Sequence, residues 1–135
     1  MEIKNFFQKI FTSSKEVEIP KAVKQKFEER FSQSINVEWQ KTGENLEAVF
    51  YLDELEHIAT FQPDGSVFCL KINLPLSQLP EILSQVAGKE GELMNAIKIE
   101  YKGVLQYELI VRDNELQRYF LLLNETGDIL KKEKL

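Results

Sequence analysis

The chain contains one histidine, His57, and one cysteine, Cys69, in 135 residues. Histidine is the side chain that titrates near neutral pH without help. A Ser-His-Asp or Cys-His system would therefore need His57 as its base. His57 stands between Glu56 and Ile58, at a strand start beside a turn, where an ordinary surface or edge histidine is expected. Cys69 lies between Phe68 and Leu70 and reads as a small core hydrophobe. A reactive thiol would want positive charge nearby, which only Lys71, two positions on, could supply. A single cysteine cannot form an internal disulfide, and one His with one Cys does not make a His/Cys metal site. Asp53, Glu54 and Glu56 form the densest acidic group, but they match no EF-hand spacing and suit a solvated hairpin tip. Asp64-Gly65 is explained as a turn. Neither GxGxxG nor GxxxxGK[ST] occurs, so no phosphate-cradling loop is indicated. The expectation is no catalytic residue, no cofactor and no metal.

Composition narrows the partners. Hydrophobic residues make up 43% and charged residues 29%, a globular balance on a chain of one-domain length. The net charge of −5 disfavours broad attraction to nucleic acid or anionic lipid. The basic run Lys131-Lys132-Glu133-Lys134 is short and acid-interrupted, as at a solvated strand end. Apolar runs such as Phe120–Leu123 have strand length, so no membrane span is expected. At the N-terminus, Gln8 and Lys9 break the apolar stretch a signal peptide would need, which points to the cytoplasm. An upstream signal outside this sequence would instead make the protein periplasmic or secreted. Ile3, Phe6, Phe7, Ile10 and Phe11 recur at helical spacing and predict a short amphipathic helix. That helix could dock on the domain, fray in solvent, or anchor a partner or membrane surface. Residues 1–18 are read as this helix and its linker.

Residues 19–135 read as two copies of one unit, 19–74 and 75–135. Pro20 opens a helix carrying Ala22, Val23, Phe27 and Phe31. Alternating strands follow at Ile35–Gln40, Leu46–Leu52, Ile58–Phe61 and Val67–Ile72, separated by turns at Gly43, Asp53-Glu54 and Pro63-Asp64-Gly65. Pro80 opens the second helix, with Ile82, Leu83, Val86 and Ala87 on one face. Strands follow at Ile97–Tyr101, Leu105–Val111, Tyr119–Leu123 and Ile129–Lys132. Pro20 and Pro80, Trp39 and Ile99, and Gly43 and Gly103 stand 60 residues apart; Gly65 and Gly127 stand 62 apart. The fold class is α+β: two tandem αββββ repeats, antiparallel meanders with helices on one face, plus the N-terminal helix. Trp39 is expected in the core.

The pattern Pro20, Phe31, Val37-x-Trp39, Ala48-x-Phe50, Phe61, Asp64-Gly65 and Leu79-Pro80 resembles the PepSY-like proteins, whose fold is that of the bacterial β-lactamase inhibitory protein. The likeness covers roughly Ile19 to Leu135. It implies a tandem repeat with one sheet face open for binding, no enzyme activity, and a setting among envelope or secreted proteins of gut bacteria. No inhibitory residues can be placed here, so β-lactamase inhibition is not implied.

One further signal bears on function. With Ala48, Phe50, Ala59, Phe61, Leu109, Val111, Leu121 and Leu123 facing the helices, the opposite face carries Val49, Tyr51, Ile58, Ile110, Phe120 and Leu122. A sheet wetted on that side should be polar there. Either the N-terminal helix or the other repeat covers this face, or it receives a protein partner or a second copy, giving a homodimer. The leading expectation is a non-catalytic protein-binding or inhibitor-like module. The alternative is a small-ligand carrier with a pocket between the repeats.

Overall fold

A computed structural model describes residues 17–135, so the helix expected over residues 3–11 lies outside the described residues. The chain divides between Ile72 and Asn73 into two compact units. The described residues form a mainly antiparallel β fold with two ten-residue α-helices and eight strands.

In the N-terminal unit, α1 spans Lys21–Arg30. Pro20 occupies its N-cap, a position with no use for the amide hydrogen that proline lacks, and its carbonyl accepts the first helical bond from Lys24 N at 3.0 Å. Four strands follow: β1 (Ile35–Thr42), β2 (Asn45–Leu52), β3 (Leu55–Phe61) and β4 (Val67–Leu74). Each pairs antiparallel with the next. Asp53 and Glu54 both take positive φ, as a two-residue hairpin of primed type requires. α1 lays Val23 and Phe27 on Leu46, Ala48 and Phe50 of β2, Ala59 and Phe61 of β3, and Leu70 of β4. Phe27 is the hub: its ring lies 5.1 Å from both Trp39 and Phe50, each edge-on. Such pairs add about 0.5–1.5 kcal/mol each to the burial term. Trp39 is thus half-buried at the core margin, packed on Phe27 and Phe61.

In the C-terminal unit, a short 3-10 turn over Leu76–Gln78 leads to Pro80 and then α2 (Glu81–Glu90). The strands are β5 (Glu92–Tyr101), β6 (Val104–Arg112), β7 (Arg118–Asn124) and β8 (Ile129–Lys134), again an antiparallel meander. Leu83 and Ala87 of α2 pack on Ala96, Tyr107, Leu109, Val111, Leu121 and Leu123. An ion pair from Lys132 to Glu90 at 2.9 Å ties β8 to α2.

Two expectations need correction. β3 begins at Leu55 and β5 at Glu92, earlier than apolar alternation indicated, because ladder bonds use the backbone and tolerate Glu56, His57 and Asn95. Trp39 and Ile99, equated by their spacing, take opposite relations to their helices. Trp39 pairs with Ala48 and packs with α1, whereas Ile99 pairs with Gln106 on the face away from α2. Register shifts at Ile35/Glu38 and at Leu93/Asn95 make a count of residues an unsafe guide to face.

Candidate functional site

The sheet face turned away from the helix is the informative surface in each unit. In the N-terminal unit the ladder places Glu47, Val49 and Tyr51 of β2, Glu56, Ile58 and Thr60 of β3, and Cys69 and Lys71 of β4 on it. In the C-terminal unit it holds Ile97 and Ile99 of β5, Gln106, Glu108 and Ile110 of β6, and Phe120 and Leu122 of β7. All six residues expected there are on it. Their exposure differs: Val49, Ile58 and Phe120 are buried at 9%, 3% and 4%, while Tyr51, Ile110 and Leu122 are half-buried. A contact role for side chains reachable from solvent therefore falls to the latter three.

Four buried members of this face were not among the six expected there. Ile97 and Ile99 are buried on it, hidden by the misleading match to Trp39. Glu47 and Glu108 are buried on it too, two carboxylates among the apolar side chains of this face. Glu47 accepts a 2.6 Å hydrogen bond from the Thr42 hydroxyl. Glu56 has one buried carboxylate oxygen, Oε2, with no hydrogen-bond partner, and burial raises its pKa above the usual carboxylate value.

His57 belongs to the other face, and its expectation as a surface residue is corrected. It is 6% exposed and its ring stacks on Phe50 with centroids 5.2 Å apart. Nδ1 lies 2.8 Å from the Leu55 carbonyl, which can only accept, so Nδ1 carries a proton. Burial pushes the imidazole pKa below its ordinary value; the Leu55 carbonyl and Asp53 oppose that in part. The signal was available, since His57 alternates with Ala59 and Phe61 of the core. Cys69 is half-buried on the opposite face, paired with Thr60. His57 and Cys69 thus project from opposite sides of the sheet and form no Cys-His dyad.

The acidic groups are used structurally or lie at tips. Asp64 Oδ1 accepts from Ser66 N at 2.9 Å and from its hydroxyl at 2.6 Å, and these bonds hold the Asp64 carboxyl below the usual range. Asn124 makes the same kind of turn between β7 and β8, accepting from Thr126 N and Asp128 N. Among the described residues, no group of three or more His, Cys, Asp or Glu side chains is placed to hold a metal ion. None of the described helices is long and apolar enough to cross a membrane.

No protein-family profile matches the chain, and no curated protein matches it. Solved structures do. A BLIP-like protein from Bacteroides fragilis shares 13% identity with a TM-score of 0.75, covering 89% of each chain. A DUF2874 family protein from Bacteroides ovatus shares 17% identity with a TM-score of 0.76, covering 88% of this chain and 89% of that one. A candidate periplasmic protein from Bacteroides eggerthii shares 14% identity with a TM-score of 0.76, covering 87% and 90%. The chain therefore has a BLIP-like fold.

Proposed function

We propose that this chain is a non-catalytic protein-binding module whose partner docks on the sheet face turned away from the helices. One observation carries the reading: among its polar side chains that face carries Val49, Tyr51 and Ile58 in one unit and Ile97, Ile110, Phe120 and Leu122 in the other, where a sheet meeting only water should be polar throughout. Half-buried Tyr51, Ile110 and Leu122 supply apolar contact reachable from solvent, and tyrosine suits a role as anchor because it joins a large apolar ring to a hydrogen-bonding tip. The fold likeness to a BLIP-like protein supports a binding role over a catalytic one. So does the separation of His57 from Cys69 by the thickness of the sheet. Membership among PepSY-like proteins and origin by tandem duplication are part of the same proposal; each unit's order of one helix and four strands supports the second. A periplasmic setting has the support of one structural neighbour so described, while the cytoplasmic reading rests on residues 1–11 alone. Fractionation of the native host separates the two.

The test is capture of a partner from native-host extract by the wild type, Tyr51→Glu and Leu122→Glu. Both substitutions put a charge at a half-buried position, so the fold should persist, checked by thermal unfolding. Loss of a specific partner with the fold intact supports the reading. Equal capture by all three proteins overturns the face assignment. A wild type that elutes as a dimer and becomes monomeric on Tyr51→Glu identifies the partner as a second copy.

A further inference from the structure

Among the described residues, three hairpin tips share one backbone pattern: Gln62–Ser66, Asp113–Gln117 and Asn124–Asp128. In each, the N–H of the first residue donates to the carbonyl of the fifth, and the N–H of the fourth donates to the carbonyl of the first. The fourth residue takes positive φ each time, at 94°, 64° and 95°. Gly65 and Gly127 hold that place in two of the tips, and Leu116 holds it in the third. A left-handed backbone is strained for a residue with a Cβ, and glycine or asparagine is its usual occupant. Gly65 and Gly127 also lie under α1 and α2, where a Cβ would strike the Ala22 carbonyl or crowd Val86. Leu116 meets solvent instead: it is 70% exposed and joins neither core cluster. Its strain is thus not offset by burial. Strain kept at an exposed position points to function rather than to stability. We propose that Leu116 is a preorganised anchor that inserts into an apolar pocket of a protein partner.

The tip is built to hold that side chain in place. Asp113 Oδ1 accepts from Glu115 N and from Gln117 N, both at 2.9 Å. Gln117 Nε2 donates to the Arg118 and Leu135 carbonyls at 3.0 and 2.9 Å, which ties the tip to the residue after β8. Arg112, at the base of the tip, pairs with Glu92 at 2.8 Å. A leucine on so fixed a backbone has little freedom left to lose on binding, so more of its burial appears as affinity. Asn114 and Glu115 beside it are exposed and polar. Apolar contact is therefore confined to one protruding side chain, which suits a pocket rather than a flat surface. A membrane is the poorer fit, because the net charge is −5 and Glu115 adjoins the leucine. The tip is a surface of its own, distinct from the sheet face.

The test replaces Leu116 of the full-length protein by a benzophenone amino acid and irradiates the native host. One protein adduct at 116 is expected, absent when the same group replaces Asn114. No such adduct overturns the proposal. So does an adduct between two copies of this chain, or one to lipid, which assigns the tip to a second copy or to a membrane. The adducted protein, once purified, should bind Leu116→Gly about tenfold or more weakly than the wild type, and Leu116→Met nearly as well as the wild type. Equal binding of Leu116→Gly and the wild type overturns the proposal. Leu116→Gly should keep or raise the midpoint of urea unfolding, since glycine removes the left-handed strain. A lower midpoint shows that Leu116 serves the fold and overturns the anchor role. Leu122→Glu separates the two surfaces. Binding lost with Leu122→Glu and kept with Leu116→Gly overturns the tip assignment and leaves the sheet-face reading standing.

Discussion

His57 shows how one side chain sets a pH dependence. Its ring is buried against Phe50, and burial holds its pKa below the ordinary 6.5. The unfolded chain therefore binds a proton more readily than the folded one, and stability falls as the pH drops below about 6.5. The contribution is full above the unfolded pKa and lost as pH falls through the folded one. Urea unfolding at pH 7.5, 6 and 5 should show this slope in the wild type and a shallower one in His57→Gln. Glu56 has the opposite sign. Burial raises its pKa from 4.5, so its charged form burdens the fold at neutral pH. Glu56→Gln should raise the melting temperature slightly at pH 7. That gain should disappear below about pH 4.5, where the carboxyl is protonated in both states.

At the scale of elements, the hairpin between β3 and β4 is fitted to α1. Gly65 has φ +94°, and a Cβ there would stand 2.8 Å from the Ala22 carbonyl oxygen in α1. Gly43, between β1 and β2, has φ +61° and open space around it. Gly43→Ala should cost about 1–2 kcal/mol through left-handed strain alone. Gly65→Ala should cost clearly more, because helix and hairpin must separate; chemical denaturation of the two variants measures the difference. Leu83, fully buried under α2, should cost about 2–5 kcal/mol as Leu83→Ala. The elements themselves were legible: Pro20 and Pro80 announce the helices, and Asp53-Glu54 and Pro63-Asp64-Gly65 the hairpins. Strand starts were not, because apolar alternation reports which face is buried rather than where the ladder begins.

For the whole molecule, the likeness to solved structures below 20% identity shows that packing pattern outlasts sequence in this fold. An acidic chain with pI near 5.0 should be least soluble around pH 5 and should prefer a partner presenting positive charge. Association with such a partner should slow as salt is raised, and Tyr51→Glu should weaken it further by adding charge to an apolar contact. Surface plasmon resonance at two ionic strengths checks both effects once a partner is in hand. Phe120→Glu would not serve as a binding probe: at 4% exposure it would bury a charge and report loss of fold instead.

What the sequence determined by itself was local. Period-2 alternation put Val49, Tyr51 and Ile58 in one unit, and Ile110, Phe120 and Leu122 in the other, on the face away from that unit's helix, and proline and glycine punctuation set the order of elements. The tertiary structure decided which of those side chains meet water. Alternation assigns a residue to a side of the sheet, but exposure depends on what the rest of the chain lays over that side. Val49 and Tyr51 share a strand and a face, yet one is sealed and the other half open. Glu47 and Glu108 are buried on that face as well, which strand alternation alone does not reveal. His57 and Cys69, the two residues that a Cys-His pair would need, are kept apart by register, which pairing across strands fixes and composition does not.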